Sequence, residues 1–230
     1  MIDHVRDLTS VREATDRLLD AAASWDNAAL AEPSRLPGWS RGHVLAHLAR
    51  NADALVNVLR GLPMYEDGET RDADIERDAG RPLDVQLADL RATADRFQAV
   101  CDEPAAWDRT VELRNGVTDS ASRVPFRRWV EVALHHVDLG AGYELADLPR
   151  EFLLREIDFL ADRWSGRPEV PPVTLRTPDG TDRGRTGGTE GAPVTVTGSL
   201  DELVGWLAGR GDKGAALATE GGPLPQLPPL

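Results

Sequence analysis

Two short segments limit what this chain can fold into: Gly42-His43-Val44-Leu45-Ala46-His47 and Glu131-Val132-Ala133-Leu134-His135-His136. They hold four of the chain's five histidines, and both read as the middle of apolar helices. A helix that buries imidazoles and a carboxylate must give them partners, because an unpaired polar group in an apolar interior is costly. Glu131 lies between Val130 and Val132, and His135 follows it by four residues. Both side chains therefore project from one face, one turn apart. Helix bundles build metal sites in this way, from inward-facing Glu and His on neighbouring helices.

On spacing alone, a simple Glu131–His135 hydrogen bond accounts for the pair, and a lone His47 reads as a satisfied core histidine. Taken together on two inner helices, the three groups make a divalent metal site the sharper reading. Two imidazoles and one carboxylate match a known catalytic zinc set that keeps one coordination position open. His135 shares the face of Glu131, whereas His136 points about 100° away, so geometry prefers His135. Geometry does not choose between His43 and His47, which are themselves four residues apart.

The rest of the chain supplies a frame for these helices. Val5, Leu8, Val11, Leu18, Leu19 and Ala22 carry helical spacing over residues 3 to 25. Residues 26 to 38, with Pro33 and Pro37, read as a loop. Ser40 suits the N-cap of the next helix and Gly61 the position just past its end. The acidic stretch 62 to 82 reads as a solvated loop. A third helix is expected over 83 to 100, a long connection over 105 to 123 with an extended piece at Thr110 to Leu113, and a fourth helix from Pro125 to Gly140 or Gly142. A fifth covers 149 to 164.

Composition then shifts towards Gly, Pro and β-branched residues. Val173-Thr174-Leu175 and Val194-Thr195-Val196 read as strands, and Ser199-Leu200-Asp201-Glu202 opens a capped helix running to about Gly209. The stretch 180 to 188 lacks the alternation expected of a paired strand. The predicted fold class is α+β, mainly α: a helical bundle over 1–165, a small α/β domain over 166–212, and a disordered tail over 213–230.

Bulk properties exclude some functions. A net charge of −13 disfavours binding to a phosphate backbone, so no nucleic-acid partner is expected. No apolar run approaches the roughly 18 residues of a membrane span, and the first residues lack a signal-peptide core. One cysteine, Cys101, forbids an internal disulfide and fits a reducing cytoplasm. Its spacing from Leu90, Ala94 and Phe97 is that of a core position. A cytoplasmic monomer or small homo-oligomer is the expectation.

The segment from Leu36 to Asp53, Leu-Pro-Gly-Trp-Ser-Arg-Gly-His-Val-Leu-Ala-His-Leu-Ala-Arg-Asn-Ala-Asp, resembles the signature of the mycothiol-dependent maleylpyruvate isomerases, part of the wider DinB-like family of metal-binding four-helix bundles. Arg128 to Tyr143 is similar to the second family motif, and Ala146 to Pro149 and Gly205 to Arg210 extend the likeness. The resemblance implies a DinB-like four-helix bundle with a small C-terminal domain, and His47, Glu131 and His135 as ligands of a divalent metal, usually zinc. It favours His47 over His43. It also implies that Arg210 helps bind acidic ligand groups and that mycothiol is the thiol cofactor.

The implied activity is isomerisation of maleylpyruvate or a related unsaturated diacid by reversible thiolate addition, with Arg210 as both a catalytic and a cofactor-binding residue. The partners are then a small thiol and a small acidic or electrophilic substrate. Two other functions use the same residues: a mycothiol S-transferase, and a non-catalytic binding module in which the Glu and His groups merely satisfy one another.

Overall fold

The computed structural model describes residues 3–103 and 105–228. In chain order its first part holds α1 (His4–Ala22), a short α2 (Asn27–Ala31), α3 (Arg41–Leu59), α4 (Gly68–Ala79), α5 (Leu83–Asp102), a hairpin of β1 (Thr110–Glu112) and β2 (Thr118–Ser120), and α6 (Val124–Asp138). The four long helices close on one another: α3 packs on α5 and α6, and α1 packs on the same two. Their apolar stripes meet in a core that includes Leu18, Leu45, Leu48, Leu55, Leu90 and Phe97, all fully buried. Val5, counted with the stripe of α1, is exposed in its first turn. Cys101 is buried, and burial pushes its thiol up to about 12, so it is a core residue without nucleophilic character.

The ends of α3 follow from local chemistry. Ser40 Oγ accepts from the His43 N–H, and His43 Nδ1 accepts from the Ser40 N–H, so each residue caps the other. At the other end Gly61 takes a φ of +75°. Its N–H donates to Val58 and that of Leu62 to Asn57, which satisfies carbonyls the helix leaves open.

Two stretches read as loops are helical. Asp26 caps α2 by accepting from the Ala29 N–H. More consequential is α4, within the acidic segment. Its sequence offers one large apolar residue, Ile75, too little for a periodic signal, yet Ile75 and Ala79 are buried. Asp67 caps its start by accepting from the Thr70 N–H, and Gln86 of α5 donates to the Ala79 carbonyl at its end. Arg50 of α3, Asp78 of α4 and Asp89 of α5 join with Arg81 in an ion-pair network that ties the three helices. The acidic residues of this segment are thus partly structural.

The second part holds α7 (Arg150–Trp164), β3 (Val173–Arg176), β4 (Asp182–Thr186), β5 (Val194–Thr197), α8 (Leu200–Leu207) and β6 (Ala218–Glu220). The sheet order is β4-β3-β5-β6, with β3 and β5 parallel and both outer pairings antiparallel. α7 packs on α8 and β4. Trp164 donates to the Leu207 carbonyl at 3.3 Å, and Thr186 Oγ1 to the Ala161 carbonyl at 2.6 Å.

Three expectations are corrected here. The chain divides into compact units between Tyr143 and Glu144, so α7 goes with the sheet and not with the bundle. The polar stretch 182 to 186 is a strand: as β4 it lies at the sheet edge, where one row of hydrogen bonds to β3 suffices, and Thr186 is its one buried residue. The tail is ordered through the described residues, with β6 paired to β5 and Trp206 donating to the Pro225 carbonyl at 3.1 Å. Among the described residues no helix is long and apolar enough to cross a membrane.

At Gly42 the end of α4 lies against α3, since a Cβ on it would overlap the Ala79 carbonyl oxygen. Gly42→Ala must push that carbonyl away. Overpacking of this kind costs about 1–3 kcal/mol, so urea titration of the variant is expected to show a lower midpoint than wild type. An unchanged midpoint would mean that the α3–α4 approach is dispensable.

Candidate metal centre

α3 and α6 bring three of the expected residues together. His47 is buried on α3, and Glu131 and His135 lie one turn apart on α6. His47 Nε2 is 3.0 Å from Glu131 Oε2, and His135 Nε2 is 3.3 Å from the same oxygen. The two imidazoles meet edge to face at 4.7 Å. One ligand atom from each residue lies within 4.8 Å of the other two. Around a tetrahedral cation with bonds of about 2.0–2.2 Å, donor atoms are roughly 3.3–3.6 Å apart. Two imidazole nitrogens and a carboxylate oxygen in this arrangement fit a divalent cation in both spacing and donor type.

The register comes from Arg128, which is fully buried one turn before Glu131. Its Nη1 donates to the Leu48 carbonyl and to Asn51 Oδ1, both at 2.8 Å. Burial lowers its pKa to about 10, which still leaves it charged.

Electrostatics separate the two histidines. Burial drives His47 down to about 4, against the opposing hydrogen bond from Glu131, so its ring is neutral near pH 7. Arg71 Nη2, a donor only, lies 3.2 Å from His47 Nδ1. In the neutral ring Nδ1 is then the acceptor, and the proton sits on Nε2, facing Glu131. A metal held at Nε2 would move that proton to Nδ1, which would then no longer accept from Arg71.

His135 behaves oppositely. Burial would lower its pKa, but hydrogen bonds to Asp138 and Glu131 raise it above the usual value. Its Nδ1 is 2.9 Å from Asp138 Oδ2, and Asp138 is buried. A carboxylate on Nδ1–H holds the ring so that Nε2 is the atom offered to the cluster, a common arrangement behind metal-binding histidines. Glu131, against the cost of burial, is held well below the carboxylate range by the hydrogen bonds of His135 and His47.

The other candidates lie elsewhere. His43 serves the cap, with Nδ1 2.7 Å from Ser40 Oγ and Nε2 3.1 Å from Glu76 Oε2. His136 stacks on Tyr143 at 4.0 Å. Arg210 follows α8, and its Nη1 donates to the Ala208 carbonyl at 3.1 Å. Asp138, Arg71 and Arg128 were not singled out from sequence. Asp138 could have been, because it stands three residues after His135 in the same motif; Arg71 could not, because the helix that carries it has almost no apolar periodicity.

Four packed helices with a His–Glu–His cluster between two of them, continued into a small α/β unit, define a two-part class of helical protein with a ready-made metal-ligand set. The chain belongs to the mycothiol maleylpyruvate isomerase family. The model of the Mycothiol maleylpyruvate isomerase N-terminal domain matches residues 11–140, and that of the MDMPI C-terminal domain matches residues 147–229. The crystal structure of the mycothiol-dependent maleylpyruvate isomerase is similar with a TM-score of 0.84 and 28% identity, covering 99% of this chain and 97% of that one. A crystal structure of a histidine-to-alanine mutant of that enzyme is similar with a TM-score of 0.83 over the same shares, again at 28% identity. No curated protein matches the chain significantly.

In protein stripped of metal, histidine NMR is expected to show His47 protonating only near pH 4 and His135 titrating above the usual value. Asp138→Asn removes the negative acceptor and is expected to bring the His135 titration down. If that titration does not move, Asp138 is not what sets the His135 ring.

Proposed function

We propose that this protein is a metal- and mycothiol-dependent cis–trans isomerase acting on maleylpyruvate or a closely related unsaturated diacid. The observation that carries the proposal is the convergence of His47, Glu131 and His135 from α3 and α6, with Asp138 behind His135. Zinc is the expected ion, since a His2Glu set is one of its catalytic ligand sets. When bound, a divalent cation there would lower the pKa of the mycothiol thiol, giving at neutral pH a thiolate able to add reversibly to the cis double bond of the substrate.

The chain's own residues have separable parts in this. His47 would hold the cation through Nε2; burial disfavours its doubly protonated ring, so binding there calls for a change of tautomer. Glu131 contributes the negative charge, and the two imidazoles keep it ionised. Asp138 orients His135. Arg210 is assigned to pairing with a substrate carboxylate, on the strength of its match to the C-terminal arginine that the motif resemblance implies. Cys101 takes no part, because its thiol lies inside the core. A lone cysteine and dependence on a small thiol both suit a reducing cytoplasm.

Metal content by mass spectrometry tests the site. About one zinc per chain is expected in the native protein, with none in His47→Ala, Glu131→Ala or His135→Ala, and no isomerase turnover by these variants with mycothiol and maleylpyruvate. Asp138→Asn is expected to weaken metal affinity about 10–100-fold. Formation of a stable mycothiol conjugate in place of the trans product would make the protein an S-transferase. A native protein that takes up no metal would leave a binding module.

A further inference from the structure

We infer that Arg71 of α4 binds a carboxylate of the acidic substrate beside the His47–Glu131–His135 cluster, an inference that rests on the isomerase reading above. Arg71 is 12% exposed, and its two terminal nitrogens have unequal partners. Nη1 meets Asp72 at 2.5 Å, but that carboxylate is 66% exposed and well solvated. Nη2 meets His47 Nδ1 at 3.2 Å. A mostly buried guanidinium therefore has one solvent-facing counter-charge, with the His47 ring and the Tyr65 hydroxyl as its other contacts. An exposed ion pair of this kind is weak and readily exchanged, whereas a planar guanidinium fork matches a carboxylate in two parallel hydrogen bonds.

Arg71 touches His47 and also lines a cavity of about 290 Å³ with Tyr65, Thr70 and Asn57. That volume is at the lower end for ligand pockets. Asp53, Glu66 and Asp74 line the cavity too, with Asp53 paired to Arg96 at 2.7 Å and Asp74 to Arg77. The guanidinium stands 5.8 Å from the Tyr65 ring centre. Burial raises the Tyr65 hydroxyl above its ordinary value, so it stays protonated and can donate a hydrogen bond to an anion. The other cation lining the cavity, Arg50, is already paired with Asp89 at 2.7 Å. Arg71 is thus the cation in contact with both the ligand cluster and this space.

A purely structural role would have Arg71 only hold the His47 ring. The two roles differ in what they control: the structural role sets metal content, whereas carboxylate binding sets affinity for an anion at a loaded site. The experiment uses zinc-loaded wild type, Arg71→Met and Arg71→Lys, with metal stoichiometry measured first. Maleate binding is then followed by calorimetry and maleylpyruvate turnover by kinetics. Arg71→Met is expected to keep its zinc and to lose about 10–100-fold in maleate affinity, with a KM rise that exceeds the fall in kcat. Arg71→Lys is expected to recover part of that loss, because it keeps the charge but not the fork.

Unchanged maleate affinity in Arg71→Met overturns the inference, as does wild-type protein that binds no maleate. Loss of zinc from both variants, with normal affinity at the sites still loaded, also overturns it and leaves Arg71 as a positioning residue for His47. If wild type binds maleate but does not turn over maleylpyruvate with mycothiol, the isomerase reading fails by itself. The maleate comparison still decides for Arg71: dependence on the arginine supports the inference, and independence ends it.

Discussion

A guanidinium bonded to neutral oxygens holds the two ligand-bearing helices in step. Arg128 is fully buried in α6 and donates across to α3, to the Leu48 carbonyl and the Asn51 side chain. Leu48 adjoins His47, Asn51 stands one turn beyond it, and Glu131 stands one turn beyond Arg128. The two hydrogen bonds of Nη1, the partnered nitrogen of this buried guanidinium, therefore also fix which turn of α6 faces which turn of α3. A slip of one residue would rotate a ligand by about 100°. Buried charges add little net stability, and register is their best-attested use. At this position a change of register would separate Glu131 from His47.

The four long helices of the bundle were legible because each carries enough apolar residues for a 3.6-residue period, and because their ends are chemically marked. Ser40 and Gly61 frame α3 and Pro125 stands in the first turn of α6; in the second unit Ser199 with Glu202 likewise marks the start of α8. What periodicity missed is held by other forces. α4 depends on its Asp67 cap, the Gly42 approach and the Arg50–Asp78–Asp89 network, none of which leaves an apolar stripe. The boundary at Tyr143 was missed because α7 looks like one more amphipathic helix; its partners, β4 and α8, come later in the chain. β6 was missed because Ala218–Glu220 is short and sits in a Pro- and Gly-rich stretch.

At the site, Glu131 and His135 were legible from one helical turn, and His47 from its place on an inner stripe. The ambiguity with His43 could not be resolved by spacing, since both lie on neighbouring lines of α3. The structure separates them through contacts 33 and 84 residues away, with His43 on Glu76 and His47 on Glu131. Arg71 was invisible for the same reason: it meets His47 only because α4 folds back over α3.

The composition that hid β4 has a consequence for the molecule in solution. An open four-stranded sheet presents two free rims, and each could recruit a strand from another copy. β4 offers Asp182, Arg183 and Arg185 along one rim, broken by Gly184 at a φ of +110°. On the other rim β6 is three residues long, ends in Glu220 and is followed by Pro223 and Pro225. Charge, a kink, brevity and proline all discourage further pairing. The residues that least resemble a strand are what keep this sheet from growing into an aggregate.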